Sequence, residues 1–104
     1  MREYRSEFEK QEDTLFVKLA GQLDTNTTPL LEAELNPYLE GTHELVMDFG
    51  GVEYISSAGI RLLLATEQYL ENRGASMRLI QVSDHVHNVF DMVGFTNLMP
   101  IEKI

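Results

Sequence analysis

Residues 45–64 read LVMDFGGVEYISSAGIRLLL. HELVMDFG, residues 43–50, is almost continuously apolar, as expected of a strand buried on both faces. GVEYIS, 51–56, is a short approach to a turn, and SAGIRLLLATEQYLENRG, 57–74, reads as a helix closed by Gly74. Its first turns are apolar nearly all round, at Ile60, Leu62, Leu63, Leu64 and Ala65. A buried strand running through a small-residue turn into a helix is the unit from which α/β sheets are built.

The flanking sequence extends the pattern. Residues 3–10 alternate weakly and predict an edge strand. DTLFVKLAGQL, 13–23, predicts a second strand with Leu15, Val17 and Leu19 on one face and Phe16 and Lys18 on the other. Asp13-Thr14 suits the turn of a hairpin joining the two, and Gly21 marks a bend or bulge. NTTPLLEAELNPYLE, 26–40, predicts a helix with Pro29 in its first turn, Thr27 or Thr28 as cap, and a kink or an end at Pro37. SMRLIQV, 76–82, is a further strand, and SDHVHNVFDMVGF, 83–95, a helix capped by Ser83 and ending at Gly94. LMPIEKI, 98–104, supplies the last strand. The order ββαβαβαβ predicts an α/β fold, one domain over residues 1–104.

Composition narrows the function. The 104 residues carry a net charge of −9, which argues against nucleic acid, since phosphate binding needs clustered Lys and Arg. With 43% hydrophobic residues the chain can bury a core, yet no apolar run approaches the ~20 residues that span a bilayer. MREYRSEFEK at the N-terminus has no signal-peptide character, and there is no cysteine; both fit a cytoplasmic protein with no membrane partner. No metal or other cofactor is expected. His85 and His87, two residues apart, fall on different faces of a helix and suit the surface better than a metal. Met92, Val93 and Phe95 suit a core, and Asp48 a structural hydrogen bond.

Two serines, Ser56 and Ser57, stand where strand becomes helix, at the carboxyl edge where α/β sheets gather functional groups. One serine suffices to cap the helix, leaving the other spare. A hydrolase nucleophile at Ser57 would need glycine two residues earlier, where Ile55 stands, and a recognisable histidine base. Phosphorylation needs only an accessible hydroxyl, and free N–H groups and the helix dipole favour the added charge.

LVMDFGGVEYISSAGIRLLL resembles the signature of the STAS domain of bacterial anti-sigma factor antagonists. AGQLDTNTTPLLEAEL resembles the family's Gly-x-Leu-Asp segment with its following helix, and VFDMVGFTNLMPI its last helix and strand. The resemblance implies a mixed β-sheet with crossover helices and a regulatory protein rather than an enzyme. It implies partner switching: the unphosphorylated antagonist holds an anti-sigma factor serine kinase, phosphorylation releases it, and a PP2C-type phosphatase resets it. The phosphoacceptor falls on Ser57, with Ser56 competing because it replaces the family's Asp. The implied partner surface is Asp24, Ser56, Ser57, Ala58, Gly59 and Arg61, where Arg61 replaces a glycine and adds a positive charge one turn beyond Ser57. Asp24 serves equally well as a turn residue. A STAS scaffold or small-ligand sensor working without phosphorylation is the alternative.

Overall fold

The computed structural model describes residues 3–104; Met1 and Arg2 of the charged N-terminal stretch lie outside them. Strands β1 (Arg5–Gln11), β2 (Thr14–Leu23), β3 (Glu44–Ile55), β4 (Ser76–Val82) and β5 (Ile101–Lys103) lie in one sheet in chain order. β1 and β2 form an antiparallel hairpin, and every later neighbour is parallel, so the sheet is mixed. Helices α1 (Thr28–Leu39), α2 (Ser57–Asn72) and α3 (Asp84–Met92) make the crossovers, and a 3-10 turn, Phe95–Asn97, follows α3. The order is the one the periodicity predicts.

Alternation decides which face of the sheet is dry. Leu15, Val17 and Leu19 of β2 share a core with Leu45, Met47 and Phe49 of β3 and Met77 and Leu79 of β4. Leu31, Leu35, Leu63, Leu70, Val86 and Phe90 from the three helices join the same cluster. All three helices therefore cover one face. At one end of this core Phe90 meets Phe49 edge-on at 5.7 Å and stacks with Phe95 at 5.5 Å. The first half of β3 is buried on both faces, as expected: Leu45 and Met47 lie in the helical core, and Val46, 2% exposed, is buried on the other face, apart from that core. Its register partners on that face are Phe16 of β2 and Arg78 of β4.

Local details of the structure refine or correct the sequence reading. β3 does not stop at Gly50 but runs unbroken to Ile55, because β2 pairs with it as far as Leu23 opposite Ile55. Gly21, at φ +96°, sits beside a shift in that register, so the bend is a bulge in a continuous ladder. α1 does not end near Leu35 but passes through Pro37 to Leu39, and Pro37 and Ala33, four residues before it, are both exposed. Met92 and Val93 are 84% and 49% exposed and do not join the core, whereas Phe95 does. Past α3 the chain turns through Gly94, and that turn carries Phe95 inward without its neighbours. The hairpin turn is Glu12-Asp13, one residue earlier than expected, with Glu12 at φ +55°.

Candidate functional site

The ends of β2 and β3 build the site. Leu23 and Ile55 are register partners, and the Ser56 amide donates to the Leu23 carbonyl at 2.8 Å. Each strand then leaves the sheet, β2 into the loop that starts α1 and β3 directly into α2. The Asp24 loop and the Ser56–Arg61 turn are thereby brought together at the carboxyl edge of neighbouring parallel strands, and two helix N-termini begin there.

The two serines divide the work. Ser56 is the N-cap of α2: its backbone is extended, its Oγ accepts from the Gly59 amide at 3.4 Å, and its carbonyl accepts from the Ile60 amide at 3.0 Å. Ser57 is the first helical residue. It is exposed, and its hydroxyl has no hydrogen-bond partner among the described residues. Its own amide and that of Ala58 belong to the first turn, where helical N–H groups lack a carbonyl partner. The spare hydroxyl is thus Ser57, set beside unpaired donors at the positive end of a helix dipole.

Gly59 explains why α2 can start so close to the sheet. A Cβ there would lie 2.8 Å from Ile55 Cγ1 and 3.3 Å from Leu23 Cβ, so only glycine lets the first turn rest on both strand ends. Ala58 is half-buried beside it. Arg61, four residues beyond Ser57 and so on the same face of α2, is exposed and forms no ion pair among the described residues.

Asp24 has a structural occupation. Its Oδ1 accepts from the amides of Asn26 and Thr27 at 2.9 and 3.0 Å. The Thr27 hydroxyl donates to the Gln22 carbonyl at 2.6 Å and accepts from the Asp24 amide at 2.9 Å. These bonds, first the one from the Thr27 amide, hold the Asp24 carboxyl below its ordinary range. Neither expected threonine caps α1 through its side chain; the Asp24 loop organises that end instead.

Two side chains carry more than the sequence suggested. Glu67 is 9% exposed on α2, and burial, reinforced by the neighbouring Glu71 charge, raises its carboxyl above the ordinary range. Its place four residues after Leu63 and three before Leu70 was the available signal. Arg73 reaches from the end of α2 to the carbonyls of Leu39, Glu40 and Thr42, tying down the end of α1. Asp48 takes the structural role expected, its Oδ1 accepting from the Gly50 amide at 2.8 Å. Among the described residues no cluster of three His, Asp or Glu side chains is placed to hold a metal, and no helix is long and apolar enough to cross a membrane.

A mixed sheet with helices on one face, and a capped serine turn at the end of its central strand, define the STAS class of domain. The chain belongs to the STAS-domain family, whose model matches residues 5–103. It is 32% identical over 93 residues to an anti-sigma-B factor antagonist of Staphylococcus epidermidis, covering 88% of this chain and 86% of that one. Among solved structures it resembles the anti-sigma factor antagonist SpoIIAA in its unphosphorylated form, with a TM-score of 0.83 at 21% identity over 93% of this chain and 87% of that one. It also resembles the Bacillus cell fate determinant SpoIIAA in its phosphorylated form, with a TM-score of 0.76 at 20% identity over 93% and 90% of the two chains.

Proposed function

We propose that this chain is an anti-sigma factor antagonist whose binding is switched by phosphorylation of Ser57. One observation carries the reading: of two adjacent serines, Ser56 is committed to the helix cap while the Ser57 hydroxyl is exposed and unbonded among the described residues. The named relative and the two forms of SpoIIAA support the same direction.

In this mechanism the unmodified turn docks an anti-sigma factor serine kinase. Ala58 and Gly59 keep the contact low, and Asp24, Ser56, Ser57 and Arg61 line it. The Ser57 hydroxyl accepts the γ-phosphoryl group of ATP, ADP departs, and the hydroxyl proton passes to the kinase. The phosphate brings a charge of about −1.5 to −2. Within its own domain it sits at a helix N-terminus, which tolerates negative charge, so the fold persists. Within the interface the same charge and bulk lack compensation, and the kinase leaves. A PP2C-type phosphatase returns the hydroxyl.

Phosphopeptide mapping after incubation with the kinase and ATP is expected to place one phosphate on Ser57 and none on Ser57→Ala. Calorimetry against nucleotide-loaded kinase is expected to find tight binding by Ser57→Ala and at least ~10-fold weaker binding by Ser57→Asp, a difference of about 1.4 kcal/mol. Equal affinity for both variants and for the phosphorylated wild type refutes the switch and leaves a scaffold or sensor that works without phosphorylation.

A further inference from the structure

The face of the sheet away from the helices carries a second surface. Two rows of side chains cross it in register. One runs Glu7, Lys18, Asp48, Ile80 from β1 to β4, and the other Glu9, Phe16, Val46, Arg78. They enclose a trough of about 490 Å³ with Phe16, Val46 and Ile80 in its floor. Parallel strands are nearly always covered on both faces, because their side chains are apolar on both. Here β2 to β4 are parallel and one face has no helix, leaving the Phe16 ring 38% exposed.

Charge selects the occupant. Among the described residues lining the trough, Glu7, Glu9 and Asp48 stand against one cation, Lys18. Arg78, at the margin, is already engaged by Glu44 at 3.3 Å and Glu102 at 3.4 Å. A second copy of a chain with net charge −9 would press these carboxylates against their own counterparts. A basic segment with a bulky apolar side chain answers both features: the apolar group covers Phe16 and Ile80, and Lys or Arg on either side meets Glu7, Glu9 and Asp48.

We infer that this sheet face is a docking surface for a basic, apolar-centred segment of a partner protein, separate from the serine turn. The trough lies across the sheet from α2, so a partner there leaves Ser57 accessible. The surface goes beyond the phosphorylation switch and does not depend on it.

The test is an amide NMR titration of the full chain at 150 mM salt with the peptide acetyl-Arg-Lys-Leu-Phe-Lys-Arg-amide. The counterpart acetyl-Glu-Asp-Leu-Phe-Asp-Glu-amide serves as control. Saturable shifts are expected along β1 to β4 at the two rows, with none from the acidic peptide. The double variant Glu7→Lys/Glu9→Lys, checked for native amide dispersion, is expected to bind at least ~10-fold more weakly. Ser57→Asp is expected to bind as wild type does, so the result stands apart from that of the switch. Absence of shifts up to millimolar peptide overturns the proposal, as does mapping onto the helical face or equal binding of the acidic peptide. Shifts of the same rows on simple dilution of the protein assign the face to self-association and equally overturn it. If the double variant does not fold, Phe16→Thr replaces it with the same expected loss.

Discussion

Replacing the two serines one at a time separates the cap from the switch. Ser56→Ala removes the oxygen that accepts from the Gly59 amide. An N-cap hydroxyl contributes about 0.5–2 kcal/mol, and at 3.4 Å this bond belongs in the lower half of that range, so a loss of about 1 kcal/mol is expected. Ser57→Ala removes an exposed hydroxyl with no partner among the described residues and puts a better helix former in a first-turn position, so its stability should stay within about 0.5 kcal/mol of wild type. For a domain of this size 1 kcal/mol corresponds to about 4–8 °C in Tm. Ser56→Asp, which keeps an acceptor at the cap, should melt near wild type. Urea and thermal unfolding of the variants under one buffer condition check the ranking. A larger loss for Ser57→Ala than for Ser56→Ala would refute the division of roles, and with it the argument that Ser57 is the free hydroxyl.

Three further outcomes follow from other contacts. Gly59→Ala gains about 1 kcal/mol of helix propensity but sets a methyl 2.8 Å from Ile55 Cγ1; overpacking of about 1–3 kcal/mol should win, lowering the urea midpoint. The carboxyl of Glu67 is raised in the folded state, so its protonated form supports the fold below the unfolded value near 4.5, and that support is lost as pH rises through the raised folded value. Glu67→Gln should therefore be more stable than wild type at neutral pH, with the advantage shrinking as melting is repeated at decreasing pH into the acid range. Arg73→Ala should cost about 1–3 kcal/mol by releasing the α1 carbonyls of Leu39 and Glu40 and that of Thr42, and Arg73→Lys should restore only part of it, because one ammonium does not reproduce the guanidinium fork.

Much of the site was legible along the chain because its parts are contiguous. Ser56, Ser57, Ala58 and Gly59 make one turn, and strand-to-helix periodicity places it at a sheet edge whatever surrounds it. Asp24 stands out in the sequence, but its hydrogen bonds to Asn26 and Thr27 do not, since the same acid can cap a helix, turn a loop or face a partner. Arg73 carries no signal along the chain, because its partners lie more than thirty residues away.

The sequence by itself determined the order of strands and helices, the hairpin, and the small serine turn, because apolar spacing and turn residues act within a few positions of one another. The tertiary structure alone decided which serine caps α2: the amide of Ser56 is claimed by the Leu23 carbonyl of the neighbouring strand, and that bond sets where helical geometry begins. It also decided that Met92 stays in water while Phe95 enters the core, and that the apolar run of β3 has helices on only one side. Apolarity in a sequence records that a side chain leaves water; what displaces the water is set by which distant segments arrive beside it.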